Sequence, residues 1–194
     1  DERALAVYEA MLRDLFAGLG TFTNGTELEV MWAPSENANG QSLACAFGDR
    51  NLAMQTGADL GDRLSMAFSE RFFFHRTETI LAIGVDEPRL GRETIDHAFA
   101  LLESVDWVIG PATDGGYYLI GCRAAAFNSE VFSGIEWGTS TVFAATIAKI
   151  GGDENTVAVL PARSDIDVVE DLQRFAAEPG EGELARLVRG WELP

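Results

Sequence analysis

Two short strand-like stretches, Thr79–Gly84 (TILAIG) and Asp106–Gly110 (DWVIG), constrain this chain more than any other feature. Each is of strand length, and each delivers a loop rich in acidic residues, proline or glycine at its C-terminal end. Continuous apolar runs of this length suit parallel strands covered on both faces. Open α/β sheets bind ligands just beyond the carboxyl ends of their strands. The loops Gly84–Leu90 (GVDEPRL) and Gly110–Gly121 (GPATDGGYYLIG) are therefore where a site is expected. A third run, Tyr117–Gly121, follows too closely for a helical crossover, so it is predicted to pair antiparallel or after a bend.

The flanking sequence supplies covering helices. Apolar spacing predicts helices over Glu2–Gly18, Asp59–Phe74, Arg89–Leu102, Arg123–Phe132, Thr139–Ile150, Asp165–Ala177 and Gly182–Arg189, and a short one over Gln41–Phe47. Leu28–Ala33 and Thr156–Pro161 read as strands. Ser35–Gly40, Asn51–Gly57 and Ser133–Gly138 read as loops, and Phe72–Phe74 as core packing. Strands alternating with helices of this length predict a three-layer α/β/α sandwich with a mostly parallel sheet. The 194 residues fit one domain, 1–194, with a full core.

Composition narrows the function. With 31 acidic and 14 basic side chains the formal charge is −17. That argues against sequence-independent nucleic-acid binding, which needs clustered cations. An anionic substrate would need a cation or local arginines to screen this field. The only lysine, Lys149, lies in a helical stretch, so a Walker-type phosphate loop is absent. No apolar run is long enough to span a bilayer and no cleavable signal is visible, which suggests a cytoplasmic protein. Cys45 and Cys122 lack metal-ligand spacing and read as buried free thiols. His75 and His97 are isolated.

Aspartates carry the chemistry. Asp86 follows the Thr79–Gly84 strand directly, where a carboxylate suits Mg²⁺ or Mn²⁺, both of which prefer hard oxygen ligands. Asp86 could equally cap the helix expected near Arg89, and Glu87 competes with it for the direction of the site. Asp165 and Asp167 repeat the arrangement after the last strand. There, capping by Ser164 or Asp165 competes with a metal role for Asp167. The glycines of Asp114-Gly115-Gly116 allow a turn with positive φ, or a close approach of backbone to ligand. Tyr117 and Tyr118 should point to opposite faces, one of them toward a pocket.

Together, GVDEPRL, GPATDGGYYLIG, Gly134–Val142 (GIEWGTSTV), Asp165–Leu172 (DIDVVEDL) and Gln55–Arg63 (QTGADLGDR) resemble one family. They are similar to the bacterial glycosyltransferase-A-like proteins of the DUF2064 group, also called arsenosugar-type glycosyltransferases, which are related to nucleotidyltransferases. The resemblance runs from about Leu5 to Leu172. It implies a nucleotide-diphospho-sugar transferase fold with a divalent cation, Mg²⁺ or Mn²⁺, bridging the donor's phosphates. It implies Asp86 and Asp167 at the metal, and Gln55, Gly57 and Arg63 near the nucleotide. Gly115, Gly116, Tyr117, Trp137, Thr139 and Ser140 would lie near the sugar or acceptor, with Asp114 as general base. Arg63 or Arg89 would screen the diphosphate. Family members usually open with a buried strand and a nucleotide-gripping loop, and this sequence starts at the helix after them. Another segment, or a second subunit in a homo-oligomer, is expected to fill that place. The activity implied is a metal-dependent transfer from a nucleotide-activated sugar to a small-molecule acceptor. The alternatives are a nucleotidyltransferase, or an inactive binding module of the same fold.

Overall fold

The structure is a computed structural model; residues 2–22, 25–33, 50–151, 155–178, 180–189 and 191 are described. In chain order the elements are α1 (Glu2–Leu19), β1 (Glu29–Trp32), β2 (Asn51–Met54), α2 (Leu60–Phe73), β3 (Thr79–Ile83), α3 (Arg92–Leu102), β4 (Trp107–Pro111) and β5 (Tyr117–Arg123). Two 3₁₀ turns follow (Ala124–Ala126 and Ser129–Phe132), then α4 (Val142–Ile150), β6 (Val157–Val159), α5 (Val169–Ala177) and α6 (Glu183–Arg189). Cys45, Ser35–Gly40 and Gln41–Phe47 lie outside the described residues.

Four strands form a sheet in the order β3-β5-β4-β6. β4 pairs parallel with β6, and β5 runs antiparallel between β3 and β4. Three of the four strands thus share a direction and end on one edge. β4 is buried along Trp107–Gly110, whereas β3 is half-buried throughout and stands at the end of the strand order. The apolar run of β3 therefore reflects helices packed on both of its faces, α2 and α3, and not a central position. β1 and β2 pair in parallel as a separate ribbon. Asn51–Met54, expected as loop, is a strand because its backbone pairs with β1, a tertiary contact that polar Asn51 does not announce. Arg71 of α2 ties the ribbon down through Glu29, with Nε 2.9 Å from Oε2.

One helical layer packs Leu15, Leu19, Leu90, Ile95, Ala98 and Leu102 onto Val108, Tyr118 and Leu119. The other packs Phe68, Phe72, Val131, Phe132 and Ile150 onto Trp107, Ile109, Ile120 and Cys122. A register shift at Gly110–Pro111 interrupts the alternation of β5, which is why neighbouring Tyr118 and Leu119 serve the same layer. Such a bulge re-aims the chain at a strand end. Arg123–Phe132, expected as one helix, is two 3₁₀ turns, because Asn128 breaks it by accepting a hydrogen bond from the Glu130 N–H at 3.0 Å. Of Phe72–Phe74 only Phe72 is core; Phe73 and Phe74 are 72% and 83% exposed. Cys122 is a buried free thiol with its pKa pushed up by burial, and His75 and His97 are exposed. Among the described residues no helix is long and apolar enough to cross a membrane.

Candidate active site

Four aspartates meet at the carboxyl ends of β3, β4 and β6. Asp114, Asp165 and Asp167 each offer a carboxylate oxygen, all within 4.8 Å of one another. Asp86 lies close enough that Asp167 and Asp114 raise its pKa, although burial is the larger cause. Asp165 is pushed up to about 6, by burial first, then by Asp114, with Asp167 and Asp86 adding to it. Like charges this close hold protons in the absence of a counterion.

Each carboxylate is placed by its own loop. Gly84 leaves room for Asp86 to fold back: a methyl group there would stand 2.5 Å from Asp86 Oδ1. Asp86 is not a helix cap, since α3 is capped by Gly91 backbone without a side chain. Its neighbour Glu87 turns inward, 5% exposed, and accepts the Arg89 N–H at 2.9 Å. Of the adjacent pair, Asp86 therefore faces the cluster. The Asp86 carbonyl accepts the Ile166 N–H at 3.0 Å, binding the first aspartate loop to the last.

Asp165 and Asp167 flank Ile166 in an extended segment, where residues two apart share a side. The capping expected of Ser164 or Asp165 is done by Asp171. Its carboxylate accepts the N–H groups of Asp167 at 3.1 Å and Val168 at 3.0 Å, and pairs with Arg174. Asp165 and Asp114 are the residues that sequence reasoning left out of the metal set, Asp114 having been expected as general base and Asp165 as a cap. The D-x-D spacing, with a second acid in register for the cap, was the signal for Asp165.

Asp114 sits in the turn between β4 and β5, where its Oδ1 accepts the Gly116 N–H at 2.8 Å. Gly115 has φ +97° and lies against the backbone of Ser140, so that a side chain would meet the Ser140 carbonyl. Its own carbonyl accepts the Phe143 N–H at 2.8 Å. Gly115, Gly116, Thr139 and Ser140 are thereby brought beside Asp114. The Thr139 hydroxyl donates to Glu136 O at 2.8 Å and accepts from Thr141.

Other expected site residues have partners of their own in the fold. Tyr117, expected at the sugar or acceptor, is in the core: it packs edge-on to Trp137 with ring centroids 6.2 Å apart, and its hydroxyl is buried beside Thr146. Tyr118 is also buried and donates to Pro161 O at 3.1 Å. Both tyrosines follow the bulge into the two layers, so neither hydroxyl lines a pocket. Gln55 is spent on Met31 O at 2.8 Å, and Arg63 Nε reaches Gly57 O at 3.4 Å. Among the described residues neither forms a hydrogen bond or ion pair with the aspartates. Arg89 lies over Phe175 at 4.2 Å and pairs with Glu178.

The family model for bacterial uncharacterized proteins known as DUF2064 matches residues 21–139, more than half of the chain. The chain belongs to this family. As a DUF2064 protein it is 29% identical to a candidate nucleotide-diphospho-sugar transferase from Desulfovibrio desulfuricans G20, with a TM-score of 0.89 over 97% of this chain and 83% of that one. The DUF2064 chain also shares its fold with Rv0371c from Mycobacterium tuberculosis H37Rv, at a TM-score of 0.54 and 15% identity over 87% of this chain and 83% of that one. No curated protein matches it.

Proposed function

We propose that this DUF2064 protein is a transferase acting on a nucleotide-activated sugar, with a divalent cation held by Asp114, Asp165, Asp167 and Asp86. The observation that carries the reading is the convergence of these carboxylates at one strand edge, on a fold like that of the Desulfovibrio protein. The donor set fits Mg²⁺ or Mn²⁺: all hard oxygens, with charges that repel one another until a cation neutralises them. When bound, the cation would supply charge stabilisation to the leaving diphosphate. The protein's own part is positional. Asp171 and the Asp86–Ile166 bond hold the aspartate loops together, while Gly115 sets the Asp114 turn against Ser140. Because Asp114 is counted among the cation's ligands, the general-base role expected of it is not assigned to it.

Calorimetry with a panel of nucleotides and nucleotide sugars, with and without Mn²⁺, tests this. Metal-dependent binding of a nucleotide sugar, lost in Asp86→Ala, is the expected result. Binding of nucleoside triphosphates alone, with pyrophosphate release on adding a sugar phosphate, would replace the reading with nucleotidyl transfer. No binding in a folded chain would mean an inactive member of the fold.

A further inference from the structure

Arg89 and Arg163, on the loops that carry Asp86 and Asp165, are engaged in the fold. Arg89 is held by Phe175 and Glu178, and Arg163 reaches Thr94 Oγ1 at 3.0 Å while lying over the Tyr118 ring. A neutral donor stands on the α1 side instead. The N-terminal half of α1 leans on the segment that carries Asp165 and Asp167, because Val7, Ala10 and Met11 share an apolar cluster with Ile166 and Leu172. Tyr8 follows Val7 and is 48% exposed, and its hydroxyl has no hydrogen-bond partner among the described residues. Partial burial, and then the charge of Asp86, make the phenol hold its proton more tightly. Tyr8 stands on the face of α1 that carries Leu12, Leu15 and Leu19, at i+4, i+7 and i+11, and Leu15 and Leu19 share an apolar cluster with Val85, the residue before Asp86. Its phenol thus offers a donor on the side of α1 turned toward the Asp86 loop.

We propose that Tyr8 is a substrate-positioning residue whose hydroxyl donates to a phosphate oxygen of the nucleotide diphosphate held at the aspartates. This rests on the transferase reading above and adds to it the helix face from which the ligand is gripped. A hydrogen bond to a charged acceptor at a half-exposed site is expected to change affinity about tenfold.

The test uses the full chain as wild type, Tyr8→Phe and Tyr8→Ala. Each is titrated calorimetrically with MnCl₂ alone, and then with UDP, GDP, CDP and ADP at saturating Mn²⁺. The expected result is that Tyr8→Phe weakens the tightest nucleotide about tenfold, Tyr8→Ala does so at least equally, and Mn²⁺ affinity stays within about twofold in both. Unchanged nucleotide binding in Tyr8→Phe would overturn the proposal and leave the transferase reading intact. So would a loss confined to Tyr8→Ala, which would mean ring contact, or an equal loss of Mn²⁺ binding, which would mean a packing role. A wild type that binds no nucleotide would overturn both readings.

Discussion

Replacing Asp165 by Asn should stabilise the metal-free protein near neutral pH. Its carboxyl titrates at about 6 in the fold against an ordinary 3.8, raised by burial first and by Asp114 next. Between those two values the folded chain holds the extra proton, so stability falls as pH rises through the window and is level above it. Two pK units correspond to roughly 3 kcal/mol, but Asp165 is only partly buried and solvent screens its neighbours, so the gain in Asp165→Asn is about 1 kcal/mol. For a chain of this length that is about 2–4 °C in Tm. Thermal unfolding in EDTA, at pH 4 and pH 7.5, measures it. The gain should be present at pH 7.5 and nearly absent at pH 4. Adding Mn²⁺ should then stabilise wild type more than the variant. A gain equal at both pH values, or a loss at pH 7.5, would refute the claim that repulsion among these aspartates limits stability.

Two further outcomes follow from local geometry. Gly115→Ala combines a positive φ with a clash on Ser140 and should cost about 2–3 kcal/mol in urea unfolding while weakening Mn²⁺ binding through the displaced Asp114. Asp106 titrates at about 2, lowered by the Thr156 N–H first and by Arg123 next, so it contributes stability above the unfolded value that is lost as pH falls from about 4 to 2. Asp106 is partly buried but its partner Arg123 is 40% exposed, so solvent screens the pair: Asp106→Asn should cost about 1 kcal/mol at pH 7, and urea midpoints should converge with wild type near pH 2.

The strand–loop order of the fold was legible because β3, β4 and β6 are apolar runs bounded by glycine, proline and aspartate, and because α1 and α2 carry regular apolar spacing. β2 was not, since Asn51–Met54 is short and becomes a strand only by pairing with β1. The position of β3 at the end of the strand order was hidden for a related reason: apolar residues record what covers a strand's faces, not how many neighbours it has. In the site, Asp86 was legible as a strand-end carboxylate, but its separation from Glu87 needed the inward turn at Pro88 and the Arg89 N–H. Asp165 was obscured by a real competing role, capping, which Asp171 fills from four residues beyond Asp167. The inward fate of both tyrosines depended on the bulge at Gly110–Pro111, a register feature that no local pattern records.

The central claim is that Asp114, Asp165 and Asp167, with Asp86 beside them, form a cation site at the strand ends. Anomalous diffraction at the manganese edge, from crystals soaked in MnCl₂ with a nucleotide diphosphate, tests it most directly. The account predicts one dominant peak within coordination distance of those carboxylates, lying between them and the ligand phosphates. A nucleotide bound with no manganese there, or manganese bound only at other acidic patches of this −17 surface, would contradict it.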